Sequence, residues 1–187
     1  MNTIKRFTVM AAALGLIACG GGGDSPAACS AEFNGDSIMF GPTLTSPPPA
    51  TIARLLPNWT IDNRATNGLT MRALEGGYTE PYKGALTEQP LWPRGQQFAF
   101  DKVARSSSVV AIELGANDAL EDEPADLFEH RLRSVITTLR AEGRIPVLTS
   151  VVQIPDTGGW FSGNVQVRLA QINATTIAVA RQMGVAN

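Results

Sequence analysis

The chain has 187 residues, of which 44% are hydrophobic and 17% are charged, a composition typical of one globular domain with a buried core. Its formal net charge is −2 and it contains no basic run, which argues against binding to nucleic acid. It contains one histidine and two cysteines, and no group of these residues and carboxylates has the spacing of metal ligands.

The N-terminus has the pattern of an export signal. Lys5 and Arg6 precede an apolar run that is too short to span a membrane. The run ends in "LIAC", which resembles a bacterial lipobox, and this predicts a signal peptide over residues 1–18 and lipidation of Cys19. A glycine follows this cysteine, which favours an exported lipoprotein anchored at the outer membrane, facing the periplasm or the cell surface. The alternative is a plain secretory peptide with an incidental cysteine.

Residues 19–28 are rich in glycine, and their composition predicts a flexible tether before a domain that covers residues 29–187. If Cys19 carries lipid, Cys29 has no partner left in the chain. We then expect a free thiol at Cys29 or a partner outside this chain. A disulfide between the two cysteines would compete with lipidation.

Strand patterns and helix patterns alternate along this domain. Short apolar or β-branched runs predict strands, amphipathic runs predict helices, and the region 76–96, rich in proline, glycine and aromatic residues, predicts a functional loop. In chain order the predicted elements are a strand at 30–34, a helix at 50–56, a strand at 58–65, a helix at 69–77, a strand at 109–115, a helix at 124–143, a strand at 145–154 and a helix at 165–184. This alternation predicts a three-layer α/β sandwich with a parallel sheet. We expect Val185 to begin a further strand whose remainder lies outside this sequence; the alternative is a natural end after four strands.

Three polar turns that contain glycine follow predicted strands and therefore lie on the same edge of a parallel sheet. The tripeptide Gly-Asp-Ser occurs twice, but Ser25 lies in the tether, whereas Ser37 follows a strand. The next two turns contain Gly68 and Asn117. Acyl transfer needs a nucleophile and two or three fixed hydrogen-bond donors aimed at one oxygen. Ser37, Gly68 and Asn117 are therefore the candidate catalytic residues.

These turns resemble the conserved blocks of the SGNH hydrolases, also called the GDSL family. Gly35-Asp36-Ser37 matches the first block, Gly68 the second, and Gly115 with Asn117-Asp118 the third. The resemblance implies a flavodoxin-like α/β/α fold, Ser37 as nucleophile, and an oxyanion hole formed by Ser37, Gly68 and Asn117. It also implies hydrolysis of a small ester without a cofactor, the activity being that of an esterase, lipase, thioesterase or carbohydrate deacetylase.

The family's general base is a histidine in a D-x-x-H block near the C-terminus, and this sequence has no such block. The one histidine, His130, falls on the polar face of its predicted helix, opposite an apolar stripe. The stripe consists of Phe128, Leu132, Val135, Ile136 and Leu139. We therefore expect the Asp and His of the triad beyond Asn187, and little activity from the 187-residue chain itself. The alternative is a binding lipoprotein of this fold that has lost the base.

Two further patterns have less specific interpretations. Acidic residues at 121–126 are expected to complement the dipole of the following helix rather than to bind a metal. Trp92, Trp160 and Phe161 are candidates to line a substrate pocket, although aromatic residues of this kind can also cap the sheet.

Overall fold

The computed structural model describes residues 29–41, 44–77, 99–151, 154, 159 and 161–187. In these ranges the central feature is a parallel sheet of four strands in the order β2-β1-β3-β4. The strands are β1 Ser30–Gly35, β2 Thr60–Asn63, β3 Val109–Glu113 and β4 Ile145–Thr149. The prediction of a parallel sheet in an α/β fold is confirmed.

Helices connect the strands and cover both faces of the sheet. They are α1 Ser37–Phe40, α2 Pro48–Leu55, α3 Met71–Gly76, α4 Ala116–Leu120, α5 Ala125–Ala141 and α6 Asn164–Met183, with a 3-10 turn at Phe100–Lys102. The two long helices, α5 and α6, match the predicted amphipathic segments closely. The five-residue helix α4 lies where the sequence predicted only a turn.

Alternate residues of β3 belong to two separate hydrophobic cores, because successive side chains of a strand point to opposite faces. Val110 and Ile112 pack in the larger core with α3, α5 and α6. Val109 and Ala111 pack in the smaller core with buried residues of α1 and α2. Helix layers on both faces of a buried parallel sheet form the predicted three-layer sandwich.

Two segments differ from the predicted pattern at the C-terminal side. Strand β4 ends at Thr149, although the apolar run that predicted it continues to residue 154. After the left-handed Gly184, Ala186 forms an isolated parallel bridge with Val147 of β4. This bridge lies on the side of β4 where the next strand was expected.

In the described ranges, no helix is both long enough and apolar enough to cross a lipid bilayer. The apolar run near the N-terminus, on which the export signal was predicted, lies outside these ranges.

Candidate active site

The strand order places a crevice at the carboxyl ends of β1 and β3. The chain runs from β1 to β2 on one side and reaches β3 on the other side of β1, so the sheet order reverses between β1 and β3. In open parallel sheets, ligands bind at such a reversal, outside the carboxyl ends of the strands. Asp36 and Ser37 directly follow β1, and Gly115 to Asn117 follow β3, so two of the three predicted turns lie at this point.

Ser37 is the first residue of α1 and is half-buried. The preceding residue, Asp36, caps this helix, because its Oδ1 accepts the backbone N–H of Ile38 at 2.8 Å. The helix ends after one turn at Gly41, which is left-handed with φ 61°. As the first helical residue, Ser37 carries a backbone N–H that no carbonyl within α1 accepts.

Gly35 allows this serine turn to pack closely against β3. A Cβ atom at Gly35 would lie 2.5 Å from the Cβ of Met39 and 3.1 Å from the carbonyl oxygen of Glu113. Both distances are shorter than normal contacts, so a side chain at residue 35 would push α1 away from the sheet. Glycine at this position is therefore a requirement of packing rather than of backbone conformation.

The loop that contains Gly68 is fixed to both neighbouring turns. Gly68 is buried and has a φ of +76°, a conformation that favours glycine. On one side of it, the N–H of Thr66 donates to the carbonyl oxygen of Gly35 at 2.9 Å. On the other side, the N–H of Met71 donates to Asp118 Oδ1 at 2.8 Å.

Asn117 connects the three turns through its side chain. It is buried in α4, and its Nδ2 donates to Asp36 Oδ2 at 3.3 Å and to the carbonyl oxygen of Leu69 at 3.2 Å. Asp36 precedes Ser37, and Leu69 follows Gly68. The structure therefore brings the neighbourhoods of all three predicted catalytic residues together at one edge of the sheet.

Three buried carboxyl groups lie at this edge of the sheet, those of Asp36, Glu113 and Asp118, and the pKa of each lies above its ordinary value. Burial raises the pKa of Asp36 to about 7, against the opposing effect of the Ile38 N–H. Burial, and then the charge of Asp36, raise the pKa of Glu113 to about 8. Burial raises the pKa of Asp118 to about 7, and the Met71 N–H opposes this rise. In each case burial disfavours the charged form of the group.

The described residues provide no imidazole for this site. His130 is exposed on α5, and the five residues of the predicted apolar stripe are all buried on the same helix. Its predicted place on the polar face is therefore confirmed. In the same part of the chain, no group of three or more histidine, cysteine, aspartate or glutamate side chains is arranged to hold a metal ion.

The acidic segment at 121–126 has a second role beyond the predicted one. Asp126 lies in the first turn of α5, where it complements the helix dipole as expected. The three preceding acidic residues instead form ion pairs with arginines from three different helices. These pairs are Arg72 with Glu121 at 3.1 Å, Arg168 with Asp122 at 3.1 Å, and Arg131 with Glu123.

The predicted pocket aromatics and cysteines are only partly described. Phe161 is half-buried and packs against the larger core, whereas Trp92 and Trp160 lie outside the described residues. Cys29 is disulfide-bonded, so the expectation of a free thiol there is wrong. Cys19, the predicted lipidation site, lies outside the described residues.

Sequence reasoning missed the buried acids and their hydrogen bonds. Glu113 gave a visible signal, since it is the one charged residue in the apolar run of β3. The sequence indicates Asp36 only as the middle residue of the Gly-Asp-Ser motif. Its link to Asn117 joins residues 81 positions apart, which no local pattern predicts.

Comparisons with known proteins agree with this geometry. The model of the GDSL-like Lipase/Acylhydrolase family matches residues 33–186. A search of the curated proteins found no match.

Three solved structures illustrate the likeness of the fold. The SGNH-hydrolase family esterase AlinE4 has 17% sequence identity and a TM-score of 0.58, covering 89% of this chain and 76% of its own. A member of the lipolytic protein G-D-S-L family from Veillonella parvula DSM 2008 has 15% identity and a TM-score of 0.57, covering 85% and 76%. The psychrotrophic esterase EstA from Pseudoalteromonas sp., in a structure inhibited by monoethylphosphonate, has 16% identity and a TM-score of 0.54, covering 84% and 74%.

Proposed function

Because the chain belongs to the GDSL-like lipase/acylhydrolase family, whose activity is in general that of an esterase or lipase, we propose that it hydrolyses a carboxylic ester through an acyl-enzyme on Ser37. The observation that carries the proposal is the hydrogen bonding of one buried amide, Asn117, to the neighbours of both Ser37 and Gly68. This arrangement supports a nucleophile and an oxyanion hole at the carboxyl edge of the sheet.

In the proposed mechanism, the Ser37 oxygen attacks the ester carbonyl carbon, and its proton passes to a general base. The carbonyl oxygen becomes an oxyanion that accepts hydrogen bonds from the backbone N–H groups of Ser37 and Gly68 and from the Asn117 amide. The tetrahedral intermediate collapses, the protonated alcohol leaves, and water then hydrolyses the acyl-serine. His130 is not the base in this mechanism, because it is exposed on the outer face of α5.

The proposed substrate is a small acyl ester, a thioester or an O-acetylated carbohydrate. Phe40 lies three residues after Ser37 on α1 and is 40% exposed, and Leu44 is 54% exposed just beyond the helix. Residues three apart on a helix share a face. These apolar side chains therefore support contact with an apolar acyl or alcohol group next to the nucleophile.

We further propose that the protein is exported and anchored to a membrane by lipid on Cys19, on the basis of the "LIAC" motif after a short apolar run. Intact-mass and peptide mass spectrometry of the native protein tests this. A diacylated N-terminal Cys19 is the expected result. Because Cys29 is disulfide-bonded and Cys19 is the only other cysteine in the sequence, lipid on Cys19 requires the partner of Cys29 to lie outside this chain. A native peptide with an intact Ala18–Cys19 bond, or with Cys19 disulfide-bonded to Cys29, would overturn the proposal.

Hydrolysis of a short p-nitrophenyl ester tests the proposed activity. The assay compares the parent protein with the variants Ser37→Ala, Asn117→Ala and His130→Ala. We expect Ser37→Ala to abolish turnover, and Asn117→Ala to lower kcat by about 10²–10³, the usual effect of removing one oxyanion donor. His130→Ala should leave the rate unchanged. Full activity of Ser37→Ala would overturn the assignment, and ester binding without turnover by the parent protein would favour the binding lipoprotein.

A further inference from the structure

We propose that Asp36 is a positioning residue, whose carboxyl group holds the Asn117 amide at a fixed place relative to the Ser37 turn. Its effect on ester hydrolysis is therefore exerted through Asn117. The inference rests on the proposed function, because the position of this amide affects a reaction rate only if the amide stabilises an oxyanion.

Hydrogen bonds, rather than ion pairs, keep the Asp36 carboxyl in the interior. The residue is fully buried, and among the described residues no lysine or arginine forms an ion pair with it. Burial of a carboxyl group is unfavourable unless its oxygens find hydrogen-bond partners. The contacts made by the two oxygens therefore decide where this side chain lies.

The two oxygens accept hydrogen bonds from opposite sides of the site. Oδ1 accepts the Ile38 N–H at 2.8 Å and so fixes the first turn of α1, which begins with Ser37. Oδ2 accepts from Asn117 Nδ2 at 3.3 Å, across the crevice on α4. One rigid, planar group thus links the nucleophile's turn directly to the proposed oxyanion donor.

The Asn117 amide has a second anchor in the Leu69 carbonyl oxygen at 3.2 Å, next to Gly68. Both contacts are longer than the usual 2.9–3.0 Å of such hydrogen bonds, so neither acceptor binds the amide tightly. A developing oxyanion can take one N–H from its present acceptor while the other contact keeps the amide oriented. Asp36 is the acceptor that ties this orientation to Ser37.

The chemistry of the carboxyl group suggests two informative substitutions. In Asp36→Asn the size is retained, but an amide offers only one acceptor oxygen, so it can satisfy either the Ile38 N–H or the Asn117 amide and not both. In Asp36→Ser the hydroxyl is a good helix cap for α1 but is too short to reach Asn117. Both variants break the connection between the Ser37 turn and Asn117, because neither can hold the Ile38 N–H and the Asn117 amide at once. Asp36→Ser retains the helix cap.

Asp126→Asn is the control. Asp126 is an exposed carboxylate in the first turn of α5, outside the candidate site. The substitution makes the same change from carboxylate to amide without touching the contacts of Asn117.

Two readouts test the inference on the folded protein. The side-chain NH₂ resonances of Asn117, assigned by their loss in Asn117→Ala, are followed by NMR, which requires no activity. For each variant, kcat and KM for a p-nitrophenyl ester are also measured. Both Asp36 variants are also combined with Asn117→Ala in a double-mutant cycle.

We expect both Asp36 variants to shift the Asn117 NH₂ resonances and to lower kcat by about 10²-fold, with KM within about twofold of the parent value. In the Asn117→Ala background the same substitutions should lower kcat by less than about threefold, because the group through which Asp36 acts is already gone. Asp126→Asn should leave the Asn117 resonances in place and lower kcat by less than about threefold.

Unchanged Asn117 resonances in Asp36→Ser would overturn the inference. So would an Asp36 substitution that lowers kcat by the same factor in the Asn117→Ala background as in the parent protein. If one Asp36 variant does not fold, the other carries the test. If the parent protein shows no turnover, the proposed function fails on its own, whereas the NMR comparison still decides whether Asp36 orients Asn117.

Discussion

At the residue scale, the chemistry of the site depends on polar groups that are buried. The sequence predicts that Ser37, Gly68 and Asn117 lie at one edge of the sheet, because residues that follow parallel strands meet there. It did not identify Asp36 as their link, since a hydrogen bond between residues 81 apart depends on how β1 and β3 pair. The raised pKa values of the acids likewise depend on burial, which a single sequence does not give.

Glu113 makes stability depend on pH in a predictable direction. Burial and the charge of Asp36 raise its pKa from the ordinary value of 4.5 to about 8 in the folded protein. Between these values the folded state holds a proton that the unfolded state has released, so the free energy of unfolding falls as pH rises, by at most about 1.4 kcal/mol per pH unit from this group.

Urea unfolding at several values between pH 5 and pH 8 checks this, with Glu113→Gln as the comparison. The substitution removes the titrating group, so the stability of the variant should fall less across this window than that of the parent. Equal slopes for the two proteins would show that Glu113 does not hold its proton to high pH.

At the element scale, the periodicity of α5 and α6 was strong enough to predict both helices. The sequence did not predict helix α4. Its five residues are too few to show an amphipathic pattern, and the pair Asn117-Asp118 is common in turns. The end of β4 was also misplaced, since a continuous apolar run shows where burial continues but not where strand pairing stops.

The packing of α1 against the sheet gives a prediction for Gly35. Gly35→Ala places a Cβ against Met39 and the Glu113 carbonyl oxygen, so it should destabilise the protein by about 1–3 kcal/mol and displace the Ser37 turn. Gly76→Ala is the control, because nothing lies within 4 Å of its added Cβ. Thermal unfolding should show a lowered Tm for Gly35→Ala alone, and an unchanged Tm would contradict the close approach.

The two faces of α5 give a second prediction at this scale. Leu132→Ala removes a buried side chain from the larger core and should lower the free energy of unfolding by about 2–5 kcal/mol. His130→Ala, two residues earlier on the exposed face, should change it by less than about 0.5 kcal/mol. Urea denaturation of both variants measures this, and a large loss in His130→Ala would mean that the imidazole has a structural or chemical role.

At the scale of the whole molecule, the alternation of strand and helix patterns predicted the layered α/β fold and its parallel sheet. The order β2-β1-β3-β4 was not predicted, because it depends on pairings between strands far apart in the chain. That order creates the crevice between β1 and β3, so the position of the site follows from topology as well as from motifs. The family match over residues 33–186 and the solved structures of similar fold agree with this architecture.

The measurement that most directly tests the central claim is the site at which a fluorophosphonate probe labels the protein. The chain contains its own control, because Ser25 and Ser37 occur in the same Gly-Asp-Ser tripeptide. Tandem mass spectrometry should find the adduct on Ser37 and not on Ser25, and Ser37→Ala should abolish labelling, since Ser37 adjoins the proposed oxyanion donors. An adduct on Ser25, or undiminished labelling of Ser37→Ala, would contradict the assignment of Ser37 as the nucleophile.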